Sequence, residues 1–189
     1  MNSHLNNELY SNAMEAAQLE KLNEQFKNTF DKAFDDLLEQ KVAEDPPDYD
    51  WITRLYAELR DRLAKLLKTG SSMRVEIEEK MDIELFTQML KENAFTGEHM
   101  YALVNYIFDA CDKLQSPGRD ENSALKRKEL IDFMNGGECT FAKFVPLFIR
   151  NANECIDFIY QDLHEFLKQL SEADQNKIIG KGSTNSTVK

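Results

Sequence analysis

The sequence predicts an all-α fold: a single-domain helical bundle of about six helices with a long C-terminal helix. Three observations predict it. Apolar residues recur at steps of three and four along most of the chain, the spacing of one helix face. Only seven glycines and four prolines among 189 residues leave long segments without a backbone interruption. After Thr140 one amphipathic series continues far longer than any other: Phe141, Val145, Phe148, Ala152, Cys155, Ile159, Leu163, Phe166 and Leu170.

The first helix is expected from Met14 to about Val42, burying Leu19, Leu22, Phe26, Phe30, Ala33 and Leu37. Residues 1–13 are polar and are expected to form a flexible N-terminus, with the bundle proper spanning 14–179. Two consecutive prolines, Pro46 and Pro47, cannot occupy a helix interior, because each lacks an amide proton and crowds the preceding turn. Asp48 or Asp50 then caps a second helix, whose inner face is Trp51 or Ile52, Leu55, Leu59, Leu63 and Leu66. Gly70 is placed to take the left-handed geometry that closes it.

Ser71 or Ser72 caps a third helix with inward residues at Met73, Ile77, Met81, Leu85 and Met89. Its opposite face carries Glu76, Glu79, Lys80, Glu84 and Lys91. Such a face is solvated, with i, i+4 pairs worth about 0.2–0.5 kcal/mol each, or it is an acidic docking surface. Thr96 caps a fourth helix through Met100, Leu103, Val104, Ile107, Phe108, Cys111 and Leu114. Pro117-Gly118 suits the central positions of a type II turn, and Asp120 caps a fifth helix to about Asn135. That helix is weakly apolar, carries the basic triplet Lys126-Arg127-Lys128, and belongs on the periphery.

Gly136-Gly137 ends the fifth helix, and the long series after Thr140 forms the spine. Pro146 implies either a kink or a helix start at that residue. A short turn through Ile178 and Ile179 follows, and residues 180–189 are expected to be a disordered tail.

Composition excludes several function classes. Twenty-three basic against thirty-four acidic side chains give a net charge of -11, the wrong sign for a phosphate backbone, so no nucleic-acid partner is expected. No apolar run approaches the roughly 20 residues that span a bilayer, and residues 1–12 lack the features of a signal peptide. Neither membrane insertion nor secretion is expected, and a cytoplasmic setting is the default.

Chemistry-bearing residues are sparse. His4, His99 and His164 form no metal-ligating pair at helical spacing, no CxxC occurs, and there is no Gly-rich phosphate loop or GxSxG elbow. No metal and no cofactor are expected. Cys111 or Cys155 could act as a nucleophile only with His99 or His164 beside it. Both lie on apolar stripes, where burial raises a thiol pKa and makes it inert. Arg119, directly after Pro117-Gly118, can fork onto a carboxylate such as Glu58, Glu78 or Asp82, or reach a partner protein.

Taken in order, these residues carry a resemblance. Trp51, Leu55, Glu58-Leu59-Arg60 and Leu66 are followed by Glu76-Ile77-Glu78-Glu79, Met81-Asp82, Leu85 and Gln88, then Tyr106-Ile107, Leu114 and Pro117-Gly118-Arg119-Asp120-Glu121. The set resembles the N-terminal helical region of the T-complex protein 11 family, whose members are usually much longer. The resemblance implies an all-helical, non-enzymatic signalling protein linked to cyclic-AMP and protein kinase A signalling, and supplies no catalytic residues. Gln115-Ser116 stands where the family often has Cys-Ala.

The expectation is thus a non-enzymatic protein-interaction module that docks a protein partner of unknown identity through Arg119, Glu79 and Glu84. The alternative is a structural component that self-associates through an exposed strip of its first or its long C-terminal helix.

Overall fold

The computed structural model describes residues 2–170 and 174, with backbone only for residues 2–16. Seven α-helices and one 3-10 turn follow one another, and the described residues contain no strand. They are α1 (Asn2–Ala43), α2 (Tyr49–Lys65), α3 (Ser72–Lys80), α4 (Ile83–Lys91), α5 (Gly97–Leu114), α6 (Asp120–Asn135) and α7 (Phe141–Gln169). The turn is Pro117–Arg119, between α5 and α6. The expected short turn beyond residue 170 and the tail lie outside the described residues, Asp174 excepted.

α7 is the spine, packed against α1, α2, α5 and α6. Its buried face includes Phe144, Val145, Phe148, Ile149, Ala152, Cys155, Ile156 and Ile159. Thr140 caps it by accepting from the Lys143 amide. The helix starts at Phe141 with Pro146 inside it, so a start at Pro146 does not occur. The spine is also shorter than its apolar series, because Leu163 and Phe166 are exposed.

α1 departs from expectation in two ways. It runs back through residues 2–13, which contain neither glycine nor proline to stop it. The strip expected to be buried is not: Leu19, Leu22, Phe26, Phe30 and Leu37 are exposed, Phe30 by 72%. The core is met by another face, on which Leu38 and Val42 are buried and Phe34 packs edge-on against Trp51 at 5.6 Å. Periodicity reports an apolar stripe, not what covers it.

Local caps account for the other boundaries. Asp48 accepts from the Trp51 amide and starts α2, whose buried residues are Ile52, Tyr56, Leu59, Leu63 and Ala64. α2 ends at Lys65 and the chain turns at Gly70, with φ of 78°. Ser71 caps α3. The expected single third helix is broken at Met81-Asp82. Asp82 leaves the helical conformation and accepts from the Leu85 amide, becoming the N-cap of α4. The break carries Leu85 into solvent, while Phe86 and Leu90 turn inward.

The segment from Pro117 to Arg119 is a 3-10 turn and not a type II turn, since Gly118 has no positive φ. Arg119, not Asp120, occupies the N-cap of α6 and makes no side-chain cap there. α6 is peripheral as expected, with only Ser123 and Leu130 buried.

Arginines fasten the helices to one another. Arg150 of α7 pairs with Asp35 of α1, and Arg62 of α2 reaches Asn153 and Asp157 of α7. Arg127 of α6 binds Asp109 at 2.6 Å and Asn105 at 2.9 Å on α5. Arg119 donates from Nη2 to Asp162 of α7 at 2.8 Å, and its guanidinium lies 4.6 Å from the centre of the Phe158 ring.

The hydrogen bonds from Arg119 and then from Ser116 hold the Asp162 carboxyl below its ordinary value of 3.8. A carboxyl depressed by folding contributes stability above that value and loses it as pH falls below it. The stability difference between wild type and Asp162→Asn, about 1 kcal/mol for a solvent-screened pair at the surface, is therefore expected to be present at pH 7. It should shrink toward zero below the carboxylate range, which urea melts at both pH values will check. Asp35 has the opposite sign: burial raises its carboxyl more than Arg150 lowers it, so its contribution falls as pH rises.

Candidate functional site

A cleft with a largely apolar lining opens between α2, α3, α4 and α5. Its volume is about 400 Å³, and Tyr56, Leu85, Phe86, Met89, Leu103 and Tyr106 are among the residues lining it. The aromatic floor is continuous. Tyr56 stacks on Phe86 at 4.0 Å, Phe86 meets Phe95 edge-on at 5.2 Å, and Phe95 lies against His99 at 5.8 Å. Aromatic pairs in these geometries hold one another in place, which makes the floor rigid.

The chain reaches this geometry by a tight exit from α4. Asn93 adopts a φ of 53°, a left-handed conformation that asparagine tolerates, and the Ala94 amide donates to the Met89 carbonyl at 2.8 Å. That reversal drops Phe95 onto Phe86. Thr96 follows as the N-cap of α5. The Thr96 amide donates to His99 Nδ1 at 3.2 Å, so Nδ1 is an acceptor, and the Thr96 hydroxyl lies 2.8 Å from the same nitrogen.

The polar groups stand at the rim. Lys80 and Asp82 line the cleft where α3 gives way to α4. Glu76, Glu79 and Glu84 are exposed on the same two helices. Burial and then the Glu76 charge push the Tyr106 hydroxyl up to about 12, so it remains a neutral donor at physiological pH. Burial raises the Tyr56 hydroxyl too. The result is an apolar trough with Lys80 and Asp82 at its rim, Glu76 close enough to act on Tyr106, and further exposed carboxylates on α3 and α4.

None of the three residues singled out from sequence lines the cleft, although two of them are exposed on helices that bound it. Glu79 lies on α3 and Glu84 on α4, both exposed. Glu84 also borders a shallower groove with Ile83, Thr87, Gln88, Lys91 and Glu92. Arg119 lies elsewhere, its side chain 24% exposed and committed to Asp162. The carboxylates offered for it are otherwise placed: Glu78 takes Arg74 at 2.9 Å, Asp82 caps α4, and Glu58 is exposed on α2. The basic triplet is likewise engaged, with Lys126 on Glu154, Arg127 on Asp109 and Lys128 on Asp132.

No cysteine lines the cleft, and burial raises the Cys111 thiol and pushes Cys155 up to about 11. Among the described residues no group of three or more His, Cys, Asp or Glu could hold a metal ion, and no helix is long and apolar enough to cross a membrane. The cleft residues on α5 were missed from sequence. The signal that could have found them is Phe95, a large aromatic in a connecting segment just ahead of a helix cap.

The T-complex protein 11 homolog of Homo sapiens is 31% identical over 106 residues, which cover 56% of this chain and 20% of that protein. The chain thus spans about a fifth of the length of that relative. No solved structure matches. The family model described as T-complex protein 11 matches residues 5–167, from the first turns of α1 to the last of α7, and the chain belongs to the T-complex protein 11 family.

Proposed function

We propose that this chain is a non-enzymatic protein-interaction module that seats a basic amphipathic helix of a protein partner in the cleft between α2, α3, α4 and α5. The observation that carries the reading is the pairing of an aromatic-floored apolar trough with exposed carboxylates on α3 and α4, two of the helices that bound it. An amphipathic helix supplies apolar side chains at i, i+3, i+4 and i+7 for the trough, and lysine or arginine beside them for Glu76, Glu79 and Glu84. Family membership supports a role in signalling linked to cyclic-AMP and protein kinase A.

Charge reversal at Glu79 and Glu84 tests the reading without disturbing the core, because both residues are exposed. With a displayed library of basic amphipathic helical peptides as probe, Glu79→Lys with Glu84→Lys is expected to weaken binding at least tenfold. Thermal melts should move by no more than about 2 °C, as for exposed sites outside packed features. Unchanged binding would remove both carboxylates from the interface.

A second reading rests on a separate observation, the exposed strip of Leu19, Leu22, Phe26, Phe30 and Leu37 on α1. Set against a second copy antiparallel about Asn28, the strip places Leu19 opposite Leu37 and Phe26 opposite Phe30. This is the arrangement of a symmetric helix pair, in which the same patch serves both subunits. Light scattering on an eluting gel-filtration peak is expected to give twice the chain mass at tens of micromolar, reverting to the monomer in Phe26→Glu with Phe30→Glu. A monomeric wild type at that concentration removes this reading.

A further inference from the structure

One exposed hydroxyl stands apart from every function considered so far. Ser116 is the only serine or threonine in the chain followed by proline, and Arg119 is the third residue after it. It lies in the break between α5 and α6 with extended backbone, φ of -73° and ψ of 150°. Ser-Pro with a basic residue at the third following position is the sequence pattern that proline-directed kinases take; here Ser116 is already extended, while Pro117–Arg119 form the 3-10 turn that has to open for the kinase. Space around the turn is open: a Cβ built on Gly118 meets nothing within 4 Å.

The hydroxyl also sits on a charge junction. Ser116 Oγ donates to Asp162 Oδ2 at 2.6 Å, while Arg119 Nε and Nη2 donate to Asp162 Oδ1 at 3.1 and 2.8 Å. One carboxylate thus holds both ends of the turn to α7. The Arg119 amide closes the loop on the Ser116 carbonyl at 2.9 Å. Asp112 and Asp120 both take the Gln115 side chain at 3.1 Å, and the Glu165 charge acts on Arg119, so carboxylates surround the turn, of which Asp112 is also paired with Arg127 at 3.6 Å.

We propose that Ser116 is a phosphorylation site for a proline-directed kinase, and that its phosphate releases the turn from α7. In the reaction Ser116 Oγ attacks the γ-phosphorus of ATP, a new O–P bond forms, the bond between that phosphorus and the bridging oxygen breaks, and ADP leaves. The hydroxyl proton passes to the catalytic carboxylate of the kinase and on to solvent, which removes the hydrogen bond to Asp162. The phosphate adds about -1.5 to -2 charges at pH 7 against the Asp162 carboxylate. It also competes for Arg119 with a stronger, bidentate acceptor. Both effects act on the single carboxylate that ties the α5 to α6 connection down, so a local charge change moves the packing of α6 against the spine. The proposal rests on this junction and is independent of the cleft.

The experiment incubates the full chain with a purified proline-directed kinase and ATP with magnesium, and reads intact mass and amide hydrogen exchange. One phosphate is expected, mapped to Ser116 and absent in Ser116→Ala and in Pro117→Ala. Exchange should accelerate at least tenfold across residues 116–121 and 158–165 in the modified chain. In Asp162→Asn, which keeps the fold but removes the repelled charge, modification should accelerate exchange much less. No incorporation into wild type, or equal incorporation into Ser116→Ala, overturns the site. Exchange unchanged on modification, or raised equally in Asp162→Asn, overturns the release.

Discussion

Phe108→Ala is expected to destabilise the chain by about 3–5 kcal/mol, the range for emptying a fully buried aromatic site. Phe108 is completely buried on α5, in the same core as Leu59, Ile77, Leu130 and Ile156. The removed ring leaves a cavity that the helices can fill only in part. Against a total stability of about 5–15 kcal/mol, that loss is large, and at about 2–4 °C per kcal/mol it lowers Tm by roughly 10 °C. Leu125→Ala is the control, since Leu125 is 65% exposed on α6 and should cost no more than about 0.5 kcal/mol. Urea melts of both variants check the contrast. A Phe108→Ala chain as stable as the control would mean that α5 does not pass through the core.

The second large effect concerns the cleft. Ala102→Trp is expected to abolish capture of basic amphipathic helices, by at least a hundredfold, while leaving Tm within about 2 °C. Ala102 lines the cleft yet is exposed, so a larger side chain there occupies the trough without overpacking the core. The indole fills the space that an incoming apolar side chain would need. Peptide binding by fluorescence anisotropy checks it. Retained affinity in a folded Ala102→Trp chain would place the binding surface somewhere else.

What the chain disclosed in advance follows from how far each signal reaches. Asp48, Ser71 and Thr140 act on amides three residues away, so the starts of α2, α3 and α7 were legible locally. The break between α3 and α4 was not. Met73, Ile77, Met81, Leu85 and Met89 keep a step of four straight across it, and Asp82 looks like one more surface charge until it is seen to cap Leu85. α1 carries two apolar faces, and only packing decides that Leu38 and Val42 meet the core while Phe26 and Phe30 do not.

The site was legible to a smaller degree, for the same reason. Glu79 and Glu84 were singled out because they share a charged face within one sequence stretch, and neither lines the cleft. The trough itself joins Tyr56, Phe86, Phe95 and Tyr106, residues brought together by the reversal at Asn93 and by α2 packing on α4. Likewise Arg119 meets Asp162 forty-three residues away, beyond any local rule. Spacing can name a face, whereas a cleft needs the partner helices.

The central claim, that the cleft seats a basic amphipathic helix, is tested most directly by selecting a displayed library of random helical peptides on the wild-type chain. Counter-selection on Ala102→Trp discards sequences that bind other surfaces. The surviving sequences should converge on apolar residues at i, i+3 or i+4, and i+7, flanked by lysine or arginine, and should lose affinity on Glu79→Lys with Glu84→Lys. Convergence on acidic or extended sequences, or no enrichment over the Ala102→Trp background, would contradict it.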